Sequence, residues 1–406
     1  MRAGEGLYIG LMSGTSLDGV DAVLADFSAG RPMVRGAAYR AFSPRLRTEL
    51  LSLQASGGDE LHRAAVAANA LVDVYVEAVE AILGESGIAR SNIAAIGAHG
   101  QTVRHRPAEG YTWQINNPSR LAEATGIAVV ADFRSRDVAA GGQGAPLVPA
   151  FHAALFQDPL QARVVVNIGG IANITSLPAL GGVSHAGVPG DRRQAPAGGT
   201  VRADRPPAAM VVTGWDTGPG NVLMDAWCER HLQQPYDVDG RWAATGQVDA
   251  ALLSEMLTET YFAQSPPKST GRDLFSAEWL DRTLARAART EPENVQATLL
   301  RLTAQSIVSA VARHCPATAE VFVCGGGARN PMLMRTIADC LARERGPSVS
   351  ASADVRTTDL LGVPANQVES LAFAWLARAM LNGAPGNLPA VTGARGPRIL
   401  GALYPA

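Results

Sequence analysis

Short apolar runs separated by glycine-containing turns recur along the chain. Leu7–Leu11 and Val20–Phe27 are strand-like runs, and the polar segment between them predicts a β-hairpin. The same pattern returns about half a chain later, where Val164–Ile168 and Asn173–Leu177 flank a tight turn at Gly169-Gly170. This spacing is too wide for a solenoid repeat, and it indicates two similar halves.

Further strands and helices alternate in both halves. Leu61–Leu83 has apolar residues at helical spacing, and a second helix is predicted from the N-cap Asn330 through Leu341. A final helix is predicted from residues 364–366 to Leu381. Buried strands are predicted at Ile93–Ala98, Val129–Ala131 and Val321–Cys324. Alternating elements of this kind indicate an α/β fold with two lobes.

The predicted lobes divide near residue 140. Residues 1–140 form the N-terminal lobe, completed by part of the C-terminal helix region, and residues 141–406 form the C-terminal lobe. Residues 179–207 are rich in Gly, Pro and Arg and show no apolar period. They predict a flexible surface loop between two strands, with an arginine-rich binding arm as the alternative.

Composition narrows the function classes. Of the 406 residues, 47% are apolar, a fraction that disfavours a disordered chain. The net charge is −2, which disfavours bulk binding of nucleic acid because such binding needs a basic surface. No apolar run is long enough for a membrane span, and the N-terminus lacks a signal-peptide pattern. The four scattered cysteines predict reduced thiols in a cytoplasm. Lys268 is the one lysine among 35 basic residues, a skew typical of GC-rich genomes.

The first hairpin turn is a candidate anion site. Gly14, Thr15, Ser16, Leu17, Asp18 and Gly19 combine turn glycines, hydroxyl donors and a carboxylate. Backbone N–H groups near such glycines can contact phosphate, and the carboxylate can hold a metal ion. The segment is not a P-loop, because Gly-Lys-Ser/Thr is absent. An ordinary hairpin turn is the alternative.

Asp216 is a candidate general base. A predicted strand, Val211–Thr213, runs toward Asp216, and a Gly218-Pro219-Gly220 turn and Asn221 follow before a helix. Ligands of open α/β sheets bind at the carboxyl ends of strands, and a carboxylate there can remove a proton from water or a hydroxyl. A helix cap is the alternative interpretation.

Two further segments are candidate ligand sites. Gly325-Gly326-Gly327 lies between a strand and a helix and allows flat contact with a ring or a phosphate, although any such turn can use glycine. Arg134 and Arg136 could clamp a carboxylate, or they could belong to a surface salt-bridge cluster. For His99 a structural role is the default.

Taken together, these segments resemble the anhydro-N-acetylmuramic acid kinase family. The resemblance spans nearly the whole chain, and the loop at 179–207 is longer than expected for the family. The matching segments are Leu11–Asp21, Gly97–Thr102, Ala131–Pro149, Val166–Gly170, Gly214–Asp225, Pro267–Arg272, Val323–Asn330 and Gly401–Pro405.

The resemblance implies a fold and a reaction. The family belongs to the sugar kinase, heat-shock ATPase and actin superfamily, so we expect two lobes of duplicated topology with ATP in the cleft between them. The implied substrate is 1,6-anhydro-N-acetylmuramic acid, and the implied product is N-acetylmuramic acid 6-phosphate, formed in peptidoglycan recycling. The implied cofactors are ATP and Mg²⁺.

The resemblance also implies site residues. Asp216 would be catalytic, Asp18 would contact Mg²⁺, and the substrate would meet side chains from several segments. The ATP-binding residues would be Gly14, Thr15, Ser16, Leu17, Asp18, Gly19, Val20, Asp21, Gly169, Gly170, Gly218, Gly220, Asn221, Gly325, Gly326 and Gly327. The substrate-binding residues would be His99, Gln101, Arg134, Arg136 and Lys268.

Two other functions remain open. A hydroxyl-directed sugar kinase could use the same fold, and an actin-like or chaperone-like nucleotide switch is a non-enzymatic alternative. The switch is disfavoured because no substrate-binding module follows the α/β part. We expect ATP and an anhydro amino sugar as partners, a homodimer, a cytoplasmic location, and neither nucleic acid nor membrane as a partner.

Overall fold

The computed structural model describes residues 6–14, 17–29, 31–181, 211–345 and 355–406. Its strands are β1 (Leu7–Met12), β2 (Gly19–Asp26), β3 (Met33–Ala41), β4 (Ile93–Ala98), β5 (Gln101–Arg106), β6 (Tyr111–Ile115), β7 (Val129–Ala131), β8 (Arg163–Ile168), β9 (Ile171–Leu177), β10 (Thr213–Pro219), β11 (Glu320–Cys324), β12 (Val355–Thr357) and β13 (Ala402–Tyr404). Its helices are α1 (Pro44–Ser52), α2 (Glu60–Ser86), α3 (Pro118–Thr125), α4 (Ser135–Ala139), α5 (Val148–Phe156), α6 (Val222–Leu232), α7 (Ala250–Met256), α8 (Thr260–Ala263), α9 (Ala277–Leu284), α10 (Pro292–His314), α11 (Pro331–Arg345), α12 (Val368–Leu381) and α13 (Pro389–Thr392).

The two large sheets share one strand order. The N-terminal sheet contains β7-β4-β1-β2-β3, extended by β13 beside β7, and the C-terminal sheet contains β12-β11-β8-β9-β10. In the N-terminal sheet, β1, β2 and β3 pair antiparallel, and β4 and then β7 add in parallel on the other side of β1. In the C-terminal sheet, β8, β9 and β10 pair antiparallel, and β11 and then β12 add in parallel on the other side of β8. This equivalence confirms the α/β fold class with duplicated topology. The boundary near residue 140 stays a prediction.

Helices cover both sheets. Helix α2 packs on β2 and β3, while α12 packs on the opposite face of the N-terminal sheet, and α10 covers the C-terminal sheet. Gly10 and Gly97 let α12 approach closely, because a Cβ at either position would collide with its backbone carbonyls at Ser370 and Phe373. A hydrophobic cluster that includes Phe373 joins α12 and both sheets. None of the helices in the described ranges is long and apolar enough to cross a membrane.

Most predicted elements are present, with shifted ends. Both hairpins form, and Asn330 caps α11 by accepting from the Leu333 N–H at 3.0 Å. The predicted strand 211–213 was too short, since β10 continues to Pro219 by pairing with β9. Asp216 therefore lies within a strand, beside a register shift, and not after it. Of the predicted loop 179–207, residues 182–207 lie outside the described residues.

Candidate active site

The carboxyl ends of strands from both sheets converge. The residues that directly follow β1, β4 and β7 are Ser13, His99 and Asp132, and those that follow β8 and β11 are Gly169 and Gly325. Parallel strands bring such ends to one edge of a sheet, which is where α/β proteins bind ligands. Electrostatic interactions join Asp18 to Asp225 and Asp21 to Arg329, so charged residues near the two edges lie close to each other.

Two glycine turns of the C-terminal sheet are bonded together. The Gly220 N–H donates to Gly170 O at 2.9 Å, and the Asn221 N–H donates to Gly169 O at 2.8 Å. A Cβ at Gly220 would collide with Gly169 O. The Gly218 backbone has a φ of 150°, and its missing side chain leaves room for the Phe262 ring. The predicted residues of these turns therefore form one continuous surface.

The turn at Gly325–Gly327 packs against the residues that precede the Gly169-Gly170 turn. Gly325 has a φ of 82°, and a Cβ there would collide with Asn167 Oδ1 and come within 2.7 Å of Ile168 O. A Cβ at Gly327 would collide with the Ile168 side chain, whereas one at Gly326 would meet only the Asn221 Nδ2, at 3.7 Å. The structure thus brings Gly325-Gly326-Gly327 beside Asn221, as a shared ligand site requires.

The hairpin turn of the N-terminal sheet lies in the same region. Thr15 and Ser16 are outside the described residues, and Leu17 and Val20 bury their side chains in the core, so these two could offer a ligand only backbone groups. The Leu17 N–H donates to Gly14 O at 3.4 Å. A Cβ at Gly19 would collide with the Arg40 carbonyl, so this glycine is also required for strand packing.

Charged residues from both lobes gather beside this turn. Burial and the nearby charge of Asp18 raise the pKa of Asp21 to about 6, and Arg329 opposes the rise. Burial raises the pKa of Asp225, on α6, to about 7, while Arg272 opposes the rise and Asp18 adds to it. Asp18 itself is exposed. Burial is the larger cause of both shifts, and repulsion from the Asp18 carboxylate adds to each.

His99, which is buried, and Arg134, which is partly buried, form a hydrogen-bonded pair at the N-terminal edge. Arg134 donates to His99 Nε2 through Nε at 3.1 Å and Nη2 at 3.0 Å. His99 Nε2 is therefore the acceptor, and Nδ1 carries the proton toward Ser13 O at 3.3 Å. Burial and the Arg134 charge lower the pKa of His99 to about 3. Gln101 is also buried and accepts from the Ser13 hydroxyl.

The two predicted arginines differ in environment. Arg134 is partly buried and also donates through Nη1 to Gly144 O at 2.8 Å, whereas Arg136 is exposed on α4. Burial lowers the pKa of Arg134 to about 10, and the charges of Glu369 and Asp137 oppose this. A surface salt-bridge cluster is therefore the wrong description of Arg134.

Asp216 is held from several sides. Its Oδ2 accepts from the Thr270 N–H at 3.0 Å, and its backbone O accepts from the Tyr261 hydroxyl at 2.7 Å. Burial raises the pKa of Asp216 to about 6, opposed by the Thr270 bond and the charge of Lys268. The helix-cap alternative is wrong, because Asp216 lies within β10 and bonds the 268–270 segment. A partly buried carboxyl with this pKa suits proton transfer near neutral pH.

Lys268 contacts protein groups. Its Nζ donates to the Tyr261 backbone O at 3.0 Å and lies 4.4 Å from the centroid of the Tyr261 ring. The Lys268 backbone O accepts from the Asp216 N–H at 3.2 Å. The lone lysine thus bonds Asp216 directly through its backbone and is linked to it through Tyr261 by its side chain.

Sequence reasoning missed Glu369, Asp225 and Tyr261. Glu369 lies at the start of α12, where its side chain bonds Asn167 of the other lobe and faces Arg134. Burial raises the pKa of Glu369. An acidic residue in the first turn of a helix commonly complements the helix dipole, so its position gave no distinctive signal. Tyr261 lies 45 residues from Asp216 along the chain, and only tertiary packing joins them.

Known proteins match nearly the whole chain. A family model described as anhydro-N-acetylmuramic acid kinase matches residues 6–189 and 202–406. The protein of that name from Burkholderia mallei (strain ATCC 23344) is 54% identical over 402 residues, which are 99% of this chain and 98% of that protein. Its namesake from Bordetella petrii is 54% identical over 404 residues, 98% of this chain and 96% of that protein. The unmatched residues 190–201 fall within the segment 179–207 for which the sequence predicts a loop.

Solved structures give weaker matches. An activator of the 2-hydroxyisocaproyl-CoA dehydratase from Clostridium difficile with bound ADPNP is 13% identical, with a TM-score of 0.43, and the match covers 93% of this chain and 96% of that one. A ROK family glucokinase from Streptomyces griseus, in complex with glucose and AMPPNP, is 14% identical, with a TM-score of 0.39 and coverage of 92% and 99%. The fold assignment rests on the strand order of the two sheets.

Proposed function

Because the chain belongs to the anhydro-N-acetylmuramic acid kinase family, we propose that it converts 1,6-anhydro-N-acetylmuramic acid, ATP and water into N-acetylmuramic acid 6-phosphate and ADP. The observation that carries the proposal is the match with named kinases over nearly the whole chain. This reaction would return a cell-wall sugar to metabolism during peptidoglycan recycling.

The reaction must open a ring and transfer a phosphoryl group. The 1,6 linkage leaves no free 6-hydroxyl, so water must attack the anomeric carbon while the bond from that carbon to O6 breaks. Asp216 takes the proton from the attacking water. O6 gains negative charge as it leaves, attacks the γ-phosphorus and displaces ADP. The proton on Asp216 then passes to solvent, which balances the reaction.

The environment of Asp216 supports this role. The Thr270 N–H stabilises the ionised form that accepts a proton, whereas burial makes the carboxylate basic enough to take one from water. Its pKa of about 6 leaves the side chain mainly ionised at neutral pH. A general base in this position typically accelerates a reaction by roughly 10²–10⁴-fold.

ATP would bind between the two hairpin turns. The turns at Gly169-Gly170, Gly220-Asn221 and Gly325–Gly327 offer glycine surfaces that a ligand can approach closely, and the first hairpin turn faces them through its charged neighbours. Phosphoryl transfer depends mainly on such positioning and on charge neutralisation.

Mg²⁺ fits the acidic side of the site. Asp18 is exposed, and its charge helps to raise the pKa values of Asp21 and Asp225, so a cation beside it would relieve this repulsion. The described ranges contain no set of three or more His, Cys, Asp or Glu side chains arranged to hold a metal ion. Mg²⁺ would therefore be held by Asp18 with ATP phosphates, and bound there it would neutralise phosphate charge.

The lactyl carboxylate of the sugar would meet an arginine. Arg134 is the better candidate of the predicted pair, since it lies at the junction of the lobes beside His99 and Glu369. Three of its five N–H groups donate to His99 and Gly144, so two remain for a ligand. Arg136 is exposed on α4.

The mass of the product tests the reaction. With the anhydro sugar and ATP, we expect a product heavier than the sugar by one water and one phosphoryl group, formed together with ADP. A hydroxyl-directed kinase would add the phosphoryl group alone, to a hydroxyl that is already free in the sugar. Consumption of N-acetylmuramic acid without consumption of the anhydro sugar would establish that alternative.

A cytoplasmic location is part of the proposal. All four cysteines are free and buried, which suits a reducing compartment. The homodimer stays a prediction, which the mass of the protein in solution tests.

A further inference from the structure

Three contacts form a closed circuit behind Asp216. The Asp216 N–H donates to the Lys268 backbone O, the Lys268 ammonium donates to the Tyr261 backbone O, and the Tyr261 hydroxyl donates to the Asp216 backbone O. Each residue therefore donates one hydrogen bond and accepts one. Since the circuit bonds both peptide groups of Asp216, it fixes the strand segment from which the carboxylate projects.

From this circuit we infer that Lys268 is a positioning residue for Asp216, acting with Tyr261 to hold the carboxylate where it takes a proton from water. The inference rests on the proposed function of Asp216. It assigns Lys268 a protein partner, in place of the substrate contact predicted from sequence. Small displacements of a catalytic group can cost about 100-fold in rate, so such support matters for turnover.

The geometry favours a lysine over an arginine. The ammonium bonds a single carbonyl and at the same time lies over the face of the Tyr261 ring. A compact ammonium can satisfy both contacts, whereas a planar guanidinium carries five donors in a rigid fork. In a chain that otherwise uses arginine, this packing explains the retained lysine.

Electrostatics gives the proposal an independent readout. Lys268 faces Asp216 of β10, Tyr261 of α8, and Arg313 and His314 at the end of α10. The positive charge of Lys268 lowers the pKa of Asp216 and so opposes the effect of burial. Removing that charge should therefore raise the pH below which kcat falls, and a purely structural role would not cause this shift.

The experiment measures kcat against pH for the wild type and for the variants Lys268→Met, Tyr261→Phe and Arg286→Met. In the wild type, we expect kcat to fall below about pH 6. In Lys268→Met, we expect the plateau rate to fall about 10-fold or more and the acid limb to move up by about half a unit to one unit. In Tyr261→Phe, the plateau should fall with no shift of the limb, because no charge is lost. KM for ATP should stay near the wild-type value in both.

Arg286→Met is the matched control. Arg286 is an exposed cation of the same lobe that pairs with Glu255, so its removal should leave the profile unchanged. If Lys268→Met does not fold, Lys268→Arg keeps the test: we expect a lower plateau with the acid limb in place.

The outcomes separate this inference from the proposed function. A wild-type plateau and acid limb in Lys268→Met would overturn the inference, and so would full activity in Lys268→Arg when Lys268→Met does not fold. Either result, with Asp216→Asn inactive, would leave the role of Asp216 standing. Near-normal turnover in Asp216→Asn would instead overturn the proposed function.

Discussion

Replacing Asp137 by asparagine should destabilise the protein strongly, although the two side chains are nearly the same size. Asp137 is fully buried. Its Oδ1 accepts from Asn387 Nδ2 at 2.6 Å and from the Thr392 hydroxyl at 2.8 Å, while Oδ2 accepts from the Gly144 N–H at 2.7 Å. The residue thus ties the loop that contacts Arg134 to the C-terminal segment.

The size of the effect follows from these bonds. Hydrogen bonds to charged groups contribute about 1.5–3 kcal/mol each, and a buried unsatisfied donor costs about 1–3 kcal/mol. Asparagine has one acceptor oxygen, so its NH₂ group must face one of the donors that Asp137 now binds. Weakening the two bonds at the retained oxygen and leaving the third donor unsatisfied should lower the free energy of unfolding by about 3–5 kcal/mol.

Urea unfolding, followed by far-UV circular dichroism, measures the change. Thr392→Val is the matched control, because it removes one of the three donors and keeps the shape of the side chain. We expect that variant to lose about 1–2 kcal/mol. An Asp137→Asn protein no less stable than Thr392→Val would refute the reasoning that three bonds converge on this carboxylate.

Two further predictions concern a glycine and a histidine. Gly325→Ala should lose folding or ATP binding, because its Cβ would collide with Asn167 and the backbone there has a positive φ. Gly326→Ala should still bind ATP, because its Cβ meets nothing closer than 3.7 Å. Thermal unfolding and nucleotide titration measure both variants. Burial lowers the pKa of His152 to about 3, so the folded protein keeps this side chain neutral at pH values where the unfolded chain protonates it. The contribution of His152 to the free energy of unfolding is therefore fully present above its ordinary pKa of 6.5 and is lost progressively as the pH falls toward 3. His152→Gln should therefore lose less stability than the wild type between pH 7 and 4.5, by about 2–3 kcal/mol in urea unfolding.

A different result would contradict each of these two predictions. Equal behaviour of the two alanine variants would mean that the Gly325 turn can shift to admit a side chain. Parallel stability curves for the wild type and His152→Gln would mean that His152 becomes protonated without cost in the folded state.

Local patterns predicted the elements whose causes are local. The hairpin around residues 13–18 and the capped start of α11 follow from alternating apolar residues and from the side chain of Asn330. Duplicated hairpins predicted two related halves, and the strand order of the sheets confirms it.

Tertiary contacts determined the rest. The Gly-Pro-Gly sequence after Asp216 indicates a turn, yet pairing with β9 keeps this stretch in a strand, and Pro219 is tolerated because β10 is an edge strand. Glu369 reaches the site from α12, far along the chain from Arg134. No local pattern could reveal such neighbours, because the contacts join segments that only the folded protein brings together.

The role of Asp216 is the central claim, and turnover of the anhydro sugar by Asp216→Asn tests it most directly. The variant keeps the size of the side chain and removes its capacity to take a proton from water. The account predicts a loss of turnover of at least about 100-fold, with ATP binding retained. Near-normal turnover in a folded Asp216→Asn protein would contradict it.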